Sequence, residues 1–172
     1  EETLKQERHQ PQVEGILQSY ELAFRMQMSM PSVMDLSQES DVIKSRYGMD
    51  ESATRDFGTQ CLLARRMVEN GVRFIELGTN GWDHHTDITR LETNCGAIDK
   101  PIAGLLEDLK ARDLLKDTLV IWTGEFGRTP HGTGKGRGHN NKGWTSWMAG
   151  GGIKGGYSLS LIHISEPTRR SD

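Results

Sequence analysis

Thr118-Leu119-Val120-Ile121-Trp122 is an uninterrupted apolar run that leads into Gly124-Glu125-Phe126-Gly127-Arg128. Its residues favour strand, and a run with no polar alternation reads as a strand buried on both faces. Such strands belong to parallel sheets covered by helices. A second β-rich run, Val72-Arg73-Phe74-Ile75-Glu76-Leu77, lies upstream. Between the two, Leu91, Cys95, Ile98, Ile102, Leu105, Leu106 and Leu109 follow a helical period. Thr89-x-x-Glu92 reads as the capping box of that helix, and Pro101 is expected to kink or divide it. Strand, helix, strand is a βαβ unit, which implies parallel pairing with a right-handed crossover. A Gly-rich stretch over 124–143 then leads to a third candidate strand at Trp144 to Ala149. The expected fold class is α/β, a partial doubly wound parallel sheet with a helical N-terminal segment. Too few strands are present to complete such a sheet, so a piece of a larger domain is expected.

The N-terminal segment carries Val13, Ile16, Leu17, Tyr20, Ala23, Phe24 and Met28 on one helical stripe, with Met26 and Met30 nearby. Pro31 is expected to end that helix. A short helix over Gln38 to Tyr47, with Ser37 as cap and Gly48 behind it, and a longer one from about Ser52 to Asn70, closed by Gly71, follow. The chain therefore divides into a helical cover over 1–50, an α/β core over 51–157 and a tail over 158–172. That tail, Ser158 to Asp172, resembles a translated sequencing adapter and is expected to be non-native. On that reading the chain is an internal fragment. It opens at Glu1 without an initiator Met, so a targeting segment upstream stays open.

A net charge of -3 argues against a dedicated nucleic-acid binder. No run approaches the ~18–20 apolar residues that span a bilayer. Cys61 and Cys95 form neither a disulfide framework nor a zinc pattern.

Ligands of open α/β sheets bind beyond the carboxyl ends of the strands. Two polar groups fall there, Gly81-Trp82-Asp83-His84-His85-Thr86-Asp87 and Gly124-Glu125-Phe126-Gly127-Arg128, and a third, Gly134-Lys135-Gly136-Arg137-Gly138-His139-Asn140-Asn141, follows in the Gly-rich loop and can fold back to the same edge. Asp83 and His85 are two apart, so in an extended segment both reach one side while His84 points away. Glu125 and His139 would complete a set of oxygen and nitrogen donors suited to Zn, Mn or Ca. The alternative is that Asp83 caps a turn and the histidines are solvated. Glu125 follows an apolar strand, where a carboxylate needs compensation. A metal supplies it, and so does a local pair with Arg128. Arg128 and Arg137 can instead grip a phosphate or sulfate. No Gly-x-Ser-x-Gly elbow supplies a nucleophile. Trp82, Trp144 and Trp147 can line a pocket, with core packing the simpler reading for the last two. Cys61 and Cys95 fall within helices and are expected to be buried or half-buried.

Six stretches together resemble the sulfatase-like proteins catalogued as domain of unknown function 1501. They are Gly81 to His85, Asp99-Lys100-Pro101-Ile102-Ala103, Thr118 through Pro130, Gly136-Arg137-Gly138-His139-Asn140, and Ser19 to Gln27 with Cys61 to Arg66. The likeness covers about 12–157. It implies a branch of the alkaline phosphatase superfamily, whose members use an α/β sandwich and divalent metal to hydrolyse phosphate or sulfate esters. On that resemblance Asp83 and His85 match the Asp-x-His metal pair, Glu125 stands where a carboxylate ligand belongs, and His139 matches the His of Gly-Arg-Asp-His. Gly138 replaces the acidic residue of that segment. Arg128 and Arg137 would hold the ester oxygens of a small-molecule or polysaccharide substrate. The resemblance also implies export, and a nucleophile outside this fragment, which is therefore expected to be inactive. A non-catalytic, metal-stabilised binding or assembly protein of the same fold is the rival reading.

Overall fold

The computed structural model describes residues 11–124, 126–132 and 134–159. Four helices come first: α1 (Pro11–Met34), α2 (Asp41–Arg46), α3 (Arg55–Glu69) and α4 (Leu91–Ala111), with a 3-10 turn at Leu36–Gln38. Four strands follow: β1 (Leu119–Thr123), β2 (Gly127–Arg128), β3 (His139–Asn140) and β4 (Ser146–Gly150). The protein is thus mixed α and β.

Tyr47, Cys61, Leu62, Leu105 and Leu109 form the buried core, where α3 and α4 pack with the C-terminal end of α2. Leu77, Leu115 and Val120 pack against it from outside. Cys61 is buried as expected, and desolvation pushes its thiol up to about 12. Cys95 lies on the exposed side of α4, against expectation.

The helix boundaries depart from the sequence reading at three places. Pro31 does not end α1, which runs on to Met34. Its final carbonyls have a partner: the Arg66 guanidinium of α3 donates to Val33 O at 2.7 Å and Ser32 O at 2.6 Å. Capping the otherwise orphaned carbonyls offsets the one donor that proline removes. The second helix is capped by Ser40 rather than Ser37, its hydroxyl accepting from Ile43 N at 3.3 Å. At α4 the Thr89–Glu92 box does not form. Asp87 takes the Thr89 amide at 2.9 Å instead, and the helix starts after that turn. Pro101 sits fully buried inside α4 without dividing it.

The sheet differs more. Val72–Leu77 pairs with nothing among the described residues and forms no strand. A strand is stabilised by its neighbour's backbone, and these residues have none. β1 pairs with β4, antiparallel, Leu119 opposite Gly150 and Thr123 opposite Ser146. β1 and β4, the second and third candidate strands, lie near their expected places, but they pair with each other and not in a parallel sheet. No parallel doubly wound sheet occurs among the described residues. The only parallel pairing recorded among them is the isolated bridge between Asp87 and Lys135. β1 is not buried on both faces: Leu119 and Ile121, with Met148 beside them on β4, stay about half exposed. The opposite face, with Val120, meets the core. Trp144 is exposed rather than packed.

A charged network staples the helices together. Arg65, 2% exposed, lies 2.8 Å from Glu39, 2.6 Å from Glu69 and 3.1 Å from Asp108. Arg112 reaches Asp108 and Glu69, Arg66 reaches Glu39, and Tyr47 donates to Asp108 at 3.0 Å. Burial alone would raise the Glu39 carboxyl, but the hydrogen bond from Arg66 and the charge of Arg65 beside it outweigh burial and hold the group below its ordinary range. A carboxylate depressed by folding adds stability that is complete above its unfolded value and lost as pH falls through the folded one. The thermal midpoint is therefore expected to fall on acidification below about pH 4.5. Glu39→Gln should flatten part of that fall. An identical acid limb in wild type and E39Q would assign the loss to other carboxylates.

Candidate functional site

Three loops meet on one side of the molecule. The segment 82–87 is tied to the Gly-rich loop by Arg137 N donating to His84 O at 2.9 Å and Ile88 N donating to Lys135 O at 3.2 Å. Gly136 is buried here, and a Cβ on it would fall 1.7 Å from the His85 carbonyl oxygen, so only glycine permits this approach. The ribbon β2–β3 then sets Arg128 opposite His139 and Gly127 opposite Asn140. Thr129 clamps the ribbon's end, its amide donating to Gly138 O at 2.9 Å and its hydroxyl accepting from Gly138 N at 3.0 Å.

The result is a cluster of Asp83, His85 and His139, whose donor atoms all lie within 4.8 Å of one another. Asp83 Oδ1 is 3.1 Å from His85 Nε2 and 3.5 Å from His139 Nε2, and the two Nε2 atoms are 2.9 Å apart. The alternation read from the sequence holds: Asp83 and His85 face out, while His84 turns inward and is buried. Among the described residues His84 Nε2 finds no hydrogen-bond partner there.

Arg128 belongs to the same cluster. It donates to Asp83 Oδ1 at 2.8 Å and to the Trp82 carbonyl at 3.3 Å. Among the described residues its carboxylate partner is thus 45 residues away in sequence. Glu125 lies outside the described residues. The Arg128 hydrogen bond, more than the nearby His85 and His139, holds the Asp83 carboxyl below its ordinary range, so it is ionised at neutral pH. Phe126 was missed by sequence reasoning. Its ring packs against His139, tilted by 43° with centroids 4.1 Å apart, and lies 5.5 Å from the Arg128 guanidinium. Its position two residues before Arg128, on the same side of an extended segment, is the signal that could have found it. Arg137 is set apart: its guanidinium donates to the adjacent Gly136 carbonyl at 2.8 Å. Trp82 is fixed by a 2.9 Å bond from its indole to Thr79.

One carboxylate and two imidazoles form a donor set of intermediate hardness, able to hold a divalent cation or, left alone, to share protons with Arg128 as counterion. Residues 1–162 match the family described as "Protein of unknown function (DUF1501)". The chain belongs to that family. Neither the curated proteins nor the solved structures contain a match to this DUF1501 chain. No helix among its described residues is long and apolar enough to cross a membrane.

Proposed function

We propose that this DUF1501 protein is a sulfatase-like, metal-dependent hydrolase of sulfate or phosphate esters, with Asp83, His85 and His139 as metal ligands. The observation that carries the reading is the spacing of the three donors. Ligands about 2.0–2.1 Å from a tetrahedral Zn sit about 3.3–3.4 Å apart. The three separations here, 2.9, 3.1 and 3.5 Å, straddle that value. Two imidazoles and an ionised carboxylate also match Zn or Mn in donor type, and Ca would draw on the oxygens alone. Glu125 is proposed as a further ligand on the family resemblance.

A cation held here would polarise an ester oxygen and lower the pKa of a bound water. The chain's own residues have separate tasks. Asp83 brings a fixed negative charge. His85 and His139 present their ring nitrogens, and Phe126 packs against the His139 ring. Arg128, and Arg137 after leaving Gly136, supply guanidinium donors for the oxygens that stay on sulfur or phosphorus. The substrate is proposed as a small-molecule or polysaccharide ester, and export follows from the same lineage. The doubly wound parallel sheet is likewise proposed for the longer protein. The half-exposed apolar face of Leu119, Ile121 and Met148 supports it, as does the unpaired run before Leu77.

The rival is a metal-stabilised binding or assembly protein without turnover. One observation favours it: Asp83, His85 and His139 side chains are 63%, 48% and 46% exposed, wetter than a site that must exclude water from a reacting ester.

Zn²⁺ titration by calorimetry, with metal analysis after dialysis, tests the shared part. One ion per chain is expected, and His139→Ala should weaken it by more than about tenfold. Wild-type binding that D83A and H139A leave unchanged would sink the metal reading. Aryl sulfate and aryl phosphate turnover by the full-length metal-loaded protein then separates hydrolase from scaffold. The 172-residue chain alone is expected to show none.

A further inference from the structure

Asp83 Oδ1 is oversubscribed. Arg128 Nη1 lies 2.8 Å from it, His85 Nε2 3.1 Å and His139 Nε2 3.5 Å. A carboxylate oxygen has two lone pairs, so it cannot serve the guanidinium, both imidazoles and a cation together. The imidazoles would turn their nitrogens to the cation as fellow ligands. The guanidinium, a permanent cation, has no such option.

We propose that Arg128 is a latch on this site: it holds Asp83 in the cation-free chain, and when a divalent cation takes that oxygen the guanidinium swings to a tetrahedral oxyanion bound beside it. The inference rests on the metal reading above. Three features equip Arg128 for the exchange. Its hold on Asp83 is single rather than forked, because its second nitrogen goes to the Trp82 carbonyl at 3.3 Å. The pair is partly solvated, with side chains 28% and 63% exposed, so little is lost on release. The Phe126 ring, 5.5 Å from the guanidinium and packed against His139, offers a cation–π platform that keeps the released group next to the site. The backbone beneath stays put. Arg128 is in register with His139, and a Cβ on Gly127 would lie 1.9 Å from Gly143 O, so β2 is wedged in place and only the side chain moves.

Charge sets the order of events. In the cation-free chain Arg128 cancels Asp83. A divalent cation in its place leaves the cluster with excess positive charge and an unpaired guanidinium, both of which attract an oxyanion. Cation and anion binding are then coupled, and the coupling is reciprocal.

The test is calorimetry on the full chain with Zn²⁺ alone, inorganic sulfate or phosphate alone, and each in the presence of the other. Arg128→Met is expected to bind Zn²⁺ about three- to fivefold tighter than wild type, since the competing cation is gone. In wild type, Zn²⁺ and sulfate should each tighten the other by one common factor; R128M should lose that factor. Arg128→Lys keeps the charge and stem but not the planar fork. It should bind Zn²⁺ like wild type with reduced coupling, which gives a second readout if R128M fails to fold by circular dichroism. Zn²⁺ binding by R128M but not by wild type would be the strongest support. Equal or weaker Zn²⁺ binding by folded R128M, against a wild type that binds, overturns the latch and leaves the metal site standing. No Zn²⁺ binding by either overturns the metal reading and the latch with it.

Discussion

Replacing Arg65 by Ala is expected to cost about 3–5 kcal/mol of folding stability, enough to unfold a marginal domain. The guanidinium is 2% exposed and sits between Glu39, Glu69 and Asp108. Burial works against its charge, yet the Glu69 and Glu39 carboxylates outweigh burial and hold it more firmly protonated than a free arginine. Take the guanidinium away and Asp108, 2% exposed, keeps Arg112 at 3.0 Å, Tyr47 at 3.0 Å and a distant Arg46 at 3.6 Å. Glu39 keeps Arg66 at 2.6 Å. Removal therefore leaves buried carboxylates short of compensation rather than merely losing an ion pair. Two of the contacts are charge without hydrogen bonding: Arg65 Nε is 3.1 Å from Asp108 and Nη2 is 2.8 Å from Glu39, but neither N–H points along its contact. Arg65→Met separates volume from charge, because it fills most of the space and removes only the cation. Urea denaturation should rank wild type well above R65M, and R65M somewhat above R65A. If R65M matches wild type, Arg65 is a space filler and the network is decoration.

The contrast between this network and the candidate site explains what the sequence could reveal. Helices α3 and α4 were legible because their apolar residues repeat on the helical period, a property of the local string. Asp83 and His85 were legible because alternation along an extended segment is also local, and His84 turned inward as alternation requires. Arg65 is invisible by the same logic. It occupies a helix in which charged side chains usually face water, and nothing in its neighbours announces the acids from two other elements. The bond from Arg128 to Asp83 is equally invisible, because it joins the β2–β3 ribbon to a segment 45 residues upstream. The run over 72–77 shows the opposite failure. Its strand propensity is real, but a strand needs a neighbour, and among the described residues β1 pairs with β4 alone. Pattern can nominate a strand; only the rest of the sheet can recruit it.

Gly58→Ala is the second large loss expected, about 3 kcal/mol, and its sign is the instructive part. In a free helix this change would stabilise by about 1 kcal/mol, since glycine is the poorer helix former. Here the added Cβ would fall 2.1 Å from the Tyr47 carbonyl oxygen and 3.2 Å from its carbonyl carbon. The obstacle is backbone, which no rotamer change relieves. Gly104 on α4 is the matching half of the seat: a Cβ there would be 2.6 Å from Arg46 O and 3.3 Å from Tyr47 Cα. The end of α2 is therefore pressed between two glycines, and that pressure sets Tyr47, fully buried, with its hydroxyl on Asp108. Moving α2 outward to admit a methyl would pull Tyr47 from the core and Asp108 from its donor at once. Gly104→Ala should be less costly than Gly58→Ala, following the longer approach. Gly96, exposed on the same α4 with nothing within 4 Å of its Cβ position, is the internal control. Gly96→Ala should raise the thermal midpoint, because only propensity acts there. Thermal melts of the three variants decide the matter: if all three midpoints rise, propensity governs these helices and the seat around Tyr47 does not.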